Sequence, residues 1–458
     1  LITGISDYMN IDLNDVSIVG VSSPDPLRFA FSRKTSAHAG GMTRPLAGDK
    51  TQSALHSALS APTAENRDRC LYIHIPFCRV RCTYCNFFQY ATNTSLIEQY
   101  FNALLEEIRW KSSFSWSQSA PFQAVYIGGG TPTDLSAQQL QQLGEAIRRY
   151  FPLAPDCEIT LEGRINRFGE DKFEAALEGG FNRFSFGVQS FDSHVRRAAK
   201  RLDDREVVIK RLNTMSRYNA APIVIDLLFG LPYQTLDIWQ DDLQQYLESG
   251  ADGVDLYQLI EMQGLPMERM VSQGKLPHPA DTQMKATMFE MGVNFMARHH
   301  QRRLSVSHWA SSNRERSIYN SLAKNNAEVL PLGAGAGGNV NGLQMMNHRD
   351  MEQYSQAVKQ QQFPVAMALY SETDHQLYAV IKAGFDRGVL AKRSLAEIGK
   401  QHIFKQLTPL FLAWQNNGLV NLDGDYLSLN LAGEFWSVNL AQNVITVLQK
   451  DQLEKRVA

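Results

Sequence analysis

The sequence predicts an α/β protein: a partial parallel barrel of six βα units, followed by a small α+β domain. Three observations carry this expectation. Six short apolar runs alternate with longer amphipathic segments across residues 70–261. The runs look too continuous for strands with one wet face, and suit strands buried on both faces of a parallel sheet. After residue 365 the rhythm changes to helical patterns and then a hairpin signal.

The 458 residues, 44% of them hydrophobic, leave room for two or three domains. Residues 1–69 are rich in Ser, Pro, Gly and Ala and read as an irregular extension. It is expected to cover the barrel mouth, with Phe29, Phe31 and Met42 available to tuck into a groove. The barrel proper is expected over 70–300. Its strands are "LYIHI" (71–75), "AVYIGG" (124–129), "EITLEG" (158–163), "RFSFGV" (183–188), "IVIDLLFG" (223–230) and "VDLYQLIE" (254–261). Helical patterns separate them at 95–110, 136–151, 170–180, 205–218 and 235–250. Two of these segments end on Gly180 and Gly250, as helix C-termini often do. Residues 301–364, with "PLGAGAGGNVNG" at 331–342, read as a bridge completing the barrel region. Residues 365–458 read as a winged-helix-like domain whose hairpin turns around Asp423-Gly424.

A net charge of −2 with no long run of one sign argues against a nucleic-acid protein with a basic face. No stretch approaches the ~18 apolar residues of a membrane span, and "LITGISDYMN" shows no leader pattern, so a cytoplasmic location is expected. The five cysteines are an odd number, which fits reduced thiols better than a disulfide framework. Cys70 and Cys157 read as small buried hydrophobes.

Cys78, Cys82 and Cys85 are different. They form C-x3-C-x2-C within "IHIPFCRVRCTYCNFF" (73–88). On a helix they would share one face, but Pro76 stands too close. Structural zinc wants four closed ligands, usually two separated pairs, and no second pair exists here. An iron–sulfur cluster usually takes four cysteines; three would leave one iron open to a ligand.

In an α/β barrel the chemistry gathers at the C-terminal ends of the strands. There the sequence places the cysteine loop, "GGGTPT" (128–133), Glu162, Gln189, Asp226 and the end of "YQLIE". The triple glycine is either a tight turn or a cradle for an ammonium or carboxylate. Glu162 and Asp226 need a partner if buried, either Arg164 or Arg183 in a salt bridge or a ligand's cation or hydroxyl.

These residues, taken in order, resemble the radical S-adenosylmethionine (SAM) enzymes. "LYIHIPFC…C..C" with Tyr84 before the third cysteine, "GGGTPT", "FGVQSFD" and "LLFGLP" look like the oxygen-independent coproporphyrinogen oxidase branch, over roughly residues 70–445. The resemblance implies that Cys78, Cys82 and Cys85 ligate a [4Fe-4S] cluster whose open iron takes SAM. It implies that Gly129, Gly130, Thr131 and Glu162 hold the methionyl end of SAM, and that Tyr72 and Tyr84 flank cluster or cofactor. Gln189, Arg201 and Asp226 match positions that contact a second SAM, with Gln258 in the same shell.

Departures choose within the branch. Phe87 stands where the oxidases carry a further cysteine. "YNSLAK" (319–324) replaces the H-N-x-x-Y-W of the heme chaperones, and "LEGRINRF" replaces E-x-N-P. These features are similar to the heme-utilisation radical SAM methyltransferases, which open heme anaerobically, release its iron and leave a linear tetrapyrrole. The implied mechanism uses two SAM molecules. A 5′-deoxyadenosyl radical takes hydrogen from the methyl group of the second SAM, and the methylene radical adds to a heme meso carbon. A heme chaperone and a coproporphyrinogen oxidase are the alternatives. For heme itself, Phe87, Phe88, Trp309 and Met345 could supply walls, Arg164, Arg167 or Arg314 could pair propionates, and His308 could approach iron. His74 reads as a core hydrogen-bonding residue. Arg79 and Arg81 could offset cluster charge or meet an acidic electron donor such as a flavodoxin or ferredoxin.

Overall fold

The computed structural model describes residues 9, 11–34, 44–63, 67–87, 89–371 and 374–457. Each of the six expected strands forms: β1 (Arg69–Ile75), β2 (Phe122–Gly129), β3 (Leu153–Gly163), β4 (Arg183–Gln189), β5 (Ile223–Phe229) and β6 (Gly253–Gln258). They lie side by side in chain order and all parallel. Helices α1 (Thr94–Ser112), α2 (Ala137–Tyr150), α3 (Glu170–Gly179), α4 (Arg205–Tyr218), α5 (Leu236–Glu248) and α6 (Thr282–Arg298) follow the strands as crossovers. Their ends have local causes. Asn93, Thr235 and Asp281 accept N-cap hydrogen bonds, and Ser136 with Gln139 forms a capping box. Gly180, at φ +98°, ends α3 in the left-handed region.

The strands are not apolar on both faces. Leu71, Ile73, Val125, Ile127, Ile159, Leu161, Phe184, Phe186, Ile223, Ile225, Val254 and Leu256 all join the core beneath the helices. The alternate positions are Tyr72, His74, Tyr126, Thr160, Glu162, Arg183, Ser185, Asp226, Asp255 and Tyr257. Successive side chains point to opposite faces, so the inside of the barrel is lined by polar and aromatic groups. The aliphatic outer face supplies roughly 1.5–3 kcal/mol for each fully buried large side chain.

Further elements lie in and just after the bridge. β7 (His308–Ala310) runs antiparallel beside β6, and β8 (Glu328–Leu332) lies parallel on the other side of β1. β9 (Gly337–Val340), β10 (Leu343–Asn347) and β11 (Val365–Tyr370) continue antiparallel from β8. A short helix, Ile318–Lys324, packs against β1 and β2. Its first amides, Ile318 N and Tyr319 N, donate to the Glu158 carboxylate at 3.0 and 3.2 Å.

Two boundaries differ from expectation. β11 pairs with β10 and with the two-residue strand Arg44–Pro45, so the sheet runs to Tyr370, into the segment expected from 365 to be the last domain. That domain holds α7 (His375–Arg387), β12 (Val389–Ala391), β13 (Val420–Asp423), β14 (Tyr426–Leu429) and α8 (Ser437–Val457). The hairpin turns at Gly424-Asp425, between paired Asp423 and Tyr426.

The extension, expected to be irregular, carries three helices among its described residues: Val16–Val19, Pro26–Phe29 and Gly48–Ser60. The first two lie on the last domain. Trp414 Nε1 donates to Ile18 O at 2.9 Å, and Trp436 Nε1 to Pro26 O at 3.1 Å. Phe31 is buried there, whereas Phe29 is exposed. Two buried indoles need acceptors, and this segment's carbonyls supply them. Met42, with residues 35–43, lies outside the described residues.

Candidate functional site

β1 runs into Pro76 and then a loop pinned at its base. Phe77–Cys78 pairs with Tyr90–Ala91, and Thr92 N donates to Cys78 O at 3.2 Å. Asp134, after β2, holds the rim by accepting from Arg79 Nε at 3.1 Å and Thr92 Oγ1 at 2.8 Å. Cys78 and Cys82 are buried and Cys85 is half-buried.

Each sulfur meets a different donor. Thr131 Oγ1 lies 3.2 Å from Cys78 Sγ, Arg164 Nη2 lies 3.2 Å from Cys82 Sγ, and Phe87 N lies 3.3 Å from Cys85 Sγ. Burial opposes ionisation of Cys82, but the Arg201 and Arg164 guanidiniums outweigh it and hold its pKa below the ordinary thiol value. For Cys78 burial prevails and raises the pKa. Among the described residues no three His, Cys, Asp or Glu side chains surround a point where a single metal ion would sit.

The glycine turn packs tightly. A Cβ on Gly128 would fall 2.5 Å from Glu162 Oε2, one on Gly129 within 2.6 Å of the His74 ring, and one on Gly130 2.5 Å from Phe77 O. Gly129 also adopts φ +111°. The triple glycine thus lets β2 pass directly under the cysteine loop; it is a close-approach turn, whatever else it holds.

Arg201 Nη2 donates to Tyr84 Oη at 2.8 Å, while its buried Nε meets no acceptor. Burial opposes its charge, but Cys82 and Tyr84 keep it firmly protonated. Gln258 Oε1 is likewise buried without a partner. Gln189 sits at φ +74°, at a register shift between β4 and β5. Strained non-glycine positions of this kind concentrate at functional sites.

Glu162 accepts from Tyr126 Oη and Gly129 N, yet burial raises its pKa to about 7. Asp226 is raised to about 8, first by burial and then by the charges of Asp255 and Glu162. Neither carboxylate forms an ion pair among the described residues. Arg183, the expected partner, binds Glu315 instead, with Nη2 at 2.9 Å. Arg164, the other, faces Cys82. Two half-buried acids therefore face the barrel interior with cations acting on them only from a distance.

Tyr72 Oη lies 2.9 Å from His74 Nδ1, and Gln89 Nε2 lies 3.1 Å from His74 Nε2. Burial lowers the His74 pKa to about 4, so the ring is neutral and relays hydrogen bonds between the two.

The sequence reading missed the floor beneath this site. Tyr319 stacks on Tyr126 at 4.8 Å and on Tyr72 at 6.4 Å. Below lies a closed chain of charges, with Arg183 on Glu315, Glu315 Oε1 at 3.3 Å from His308 Nε2, and His308 Nδ1 at 2.8 Å from Asp255. Burial opposes both charges, but Asp255 and Glu315 raise the His308 pKa to about 9, and Arg183 lowers that of Glu315 to about 2. The inward positions Asp255 and Arg183 were readable by strand alternation. Glu315 lies in a loop, and no periodicity points to it.

Comparison with known proteins decides the family. Residues 72–245 match the Radical SAM superfamily. The chain is 38% identical to anaerobilin synthase of Escherichia coli O157:H7 over 360 residues, covering 78% of this chain and 79% of that one. The protein belongs to the anaerobilin synthase family of radical SAM enzymes. It is also 29% identical to the heme chaperone HemW of Bacillus subtilis over 332 residues, which is 72% of this chain and 86% of the relative. Its fold matches the coproporphyrinogen III oxidase of Escherichia coli, a radical SAM enzyme, with a TM-score of 0.73 at 23% identity, over 88% of this chain and 97% of that one.

As a radical SAM enzyme, this member of the anaerobilin synthase family takes a [4Fe-4S] cluster and SAM. The site fits an anionic cluster and a polar cofactor: three cysteines with separate donors, two guanidiniums beside them, and buried polar atoms of Arg201 and Gln258 left without protein partners. The residues expected at heme do not gather around it. His308 is held between Asp255 and Glu315, so its nitrogens are turned from any iron. Trp309 and Met345 are buried in the core, and Arg314 binds Asn219 and Asp252. Arg164 points to Cys82, and Arg167 is exposed. Phe87 is 62% exposed beside Cys85, and Phe88 lies outside the described residues. Core packing claims residues whose composition alone suited a heme wall.

Proposed function

We propose that the protein is an oxygen-independent radical SAM methyltransferase that opens the heme macrocycle, releasing iron and a linear tetrapyrrole, and that it works in the cytoplasm. The extended identity to anaerobilin synthase carries this reading. Two departures support it: Phe87 in place of an oxidase cysteine, and Tyr319 with Lys324 where the chaperone motif has His and Trp.

Cys78, Cys82 and Cys85 hold the cluster, and Arg164 and Arg201 balance its charge. When bound, cluster and SAM together supply a carbon-centred radical. Thr131, Gly129, Gly130 and Glu162 form the SAM-binding edge. Glu162 lacks a cationic partner and turns to its carboxylate form when the SAM ammonium or ribose hydroxyls meet it. Tyr84, fixed by Arg201, flanks the cluster, and Tyr72, fixed by His74, flanks the cofactor. Gln189, Asp226 and Gln258 serve a second SAM, with Arg201 at the boundary between the two. Arg79 and Arg81 on the outer rim meet a flavodoxin or ferredoxin donor. Tyr319, Tyr126 and Tyr72 close the chamber below and keep bulk water from a reactive intermediate.

The test is anaerobic incubation of cluster-reconstituted protein with heme, SAM and a reductant. Loss of the Soret band with a methylated open-chain product supports the reading, and Cys82→Ala abolishes both. Intact heme in the presence of measured SAM cleavage refutes it. Decarboxylation of coproporphyrinogen, or stable heme passed on to an acceptor, would establish one of the alternatives.

A further inference from the structure

A second cavity opens beside the barrel, away from the cysteine loop. It encloses about 160 Å³ between β6, the helix Ile318–Lys324 and α7 of the last domain. Tyr257, 43% exposed, and Asp255 lie on its wall, and Asp255 is in register with Asp226 on the neighbouring strand β5. The cavity therefore lies against the strand position that holds Asp226.

Its charges do not cancel. Lys324, Arg316, Arg387 and His308 line it, against Asp386 and Asp255. Both acids are already matched, with Asp386 at 2.8 Å from Lys324 Nζ and Asp255 at 2.8 Å from His308. Arg316 reaches only the outlying Asp156, at 3.4 Å, and Arg387 meets no carboxylate among the described residues. Arg387 is thus in excess, and Arg316 is held only by an exposed acid outside the cavity, over a wall that also carries Ser, Asn and Tyr groups beside Leu304 and Ala383. Guanidinium forks match carboxylates in shape as well as charge. The volume is below the ~300–1,000 Å³ of a typical ligand cleft, so it suits one arm of a larger molecule.

We propose that this side cavity is a carboxylate site, with Arg316 and Arg387 as specificity-determining residues, and that it takes a propionate arm of the tetrapyrrole whose ring lies in the barrel chamber. Naming the arm rests on the heme reading; the preference for a carboxylate rests on the cavity alone. Lys324 acts through Asp386, keeping that acid from repelling the ligand.

The full chain, reconstituted anaerobically, is titrated with heme and with heme dimethyl ester in the same detergent, following the Soret shift. Wild type is expected to prefer heme at least about tenfold, the loss expected for one charge-assisted contact. Arg387→Gln, at an exposed site with no ion pair to lose, narrows that preference, and Arg316→Gln with Arg387→Gln removes it. Binding of the ester and SAM cleavage without heme stay unchanged, and melting curves confirm that each variant is folded. Equal affinity of wild type for heme and ester would overturn the proposal. So would variants that weaken both ligands alike. If wild type binds heme through its propionates yet never opens the ring, the site stands and the proposed activity fails.

Discussion

The mouth and the floor of one barrel handle charge in opposite ways. At the floor, Arg183, Glu315, His308 and Asp255 are buried and each has an oppositely charged partner within 3.3 Å, though His308 Nε2 makes no hydrogen bond. At the mouth, Glu162 and Asp226 form no direct ion pair among the described residues, and Arg201 Nε and Gln258 Oε1 have no hydrogen bond. A buried polar group without a partner costs free energy, and at the mouth two such groups lie where a polar cofactor is proposed to bind. The floor is finished protein. The mouth is complete only with its cofactors.

Breaking the floor is expected to have the largest effect. Arg183→Met strands Glu315 beside Glu158 without their shared cation, and should lower stability by about 3–5 kcal/mol, read from denaturant unfolding of the apoprotein. A loss under about 1 kcal/mol would mean that the floor is not a closed network. Glu162→Gln probes the mouth. It should weaken SAM binding by roughly 10- to 100-fold, the cost of a charged hydrogen bond, while leaving the apoprotein as stable as before or more so at pH 8. A destabilised apoprotein would make Glu162 a structural residue.

The pH dependence sharpens the same contrast. Glu162, Asp226 and His308 all have folded-state pKa values above their ordinary ones, at about 7, 8 and 9. The folded chain therefore binds more protons than the unfolded one, and the contribution of these groups to stability falls as pH rises. The two carboxyls act from about pH 4 to 8, and His308 from about 6.5 until its contribution is lost above 9. Unfolding titrations should show Glu162→Gln and Asp226→Asn flattening the lower part of this decline. SAM should flatten it as well if its cation meets the Glu162 carboxylate.

The smallest effect is expected at the rim. The Arg79–Asp134 pair is partly exposed, so Arg79→Ala should change stability by less than about 1 kcal/mol. It should slow reduction by flavodoxin a few-fold at low salt and not at high salt. A rate independent of salt would move the donor's docking face elsewhere.

The sequence by itself determined the six parallel strands, the crossover helices, the cysteine loop and the acids at the strand ends. All of these rest on local rules: apolar periodicity, capping residues, and the fact that parallel strands align their C-terminal ends. The same rules, applied more strictly, reveal the barrel lining. "LYIHI" and "EITLEG" look continuously apolar only because Tyr and Thr count as strand formers; their alternation puts Tyr72, His74, Thr160 and Glu162 inside. Pro331 within "EVLPL" hid β8, whose pairing with β1 depends on residues some 260 positions apart. Glu315, the side cavity between β6 and α7, and the docking of residues 16–29 on the last domain were decided only by tertiary structure. Each joins segments distant in the chain, and the charge or hydrogen-bond balance that selects such a contact exists only once both sides are buried together.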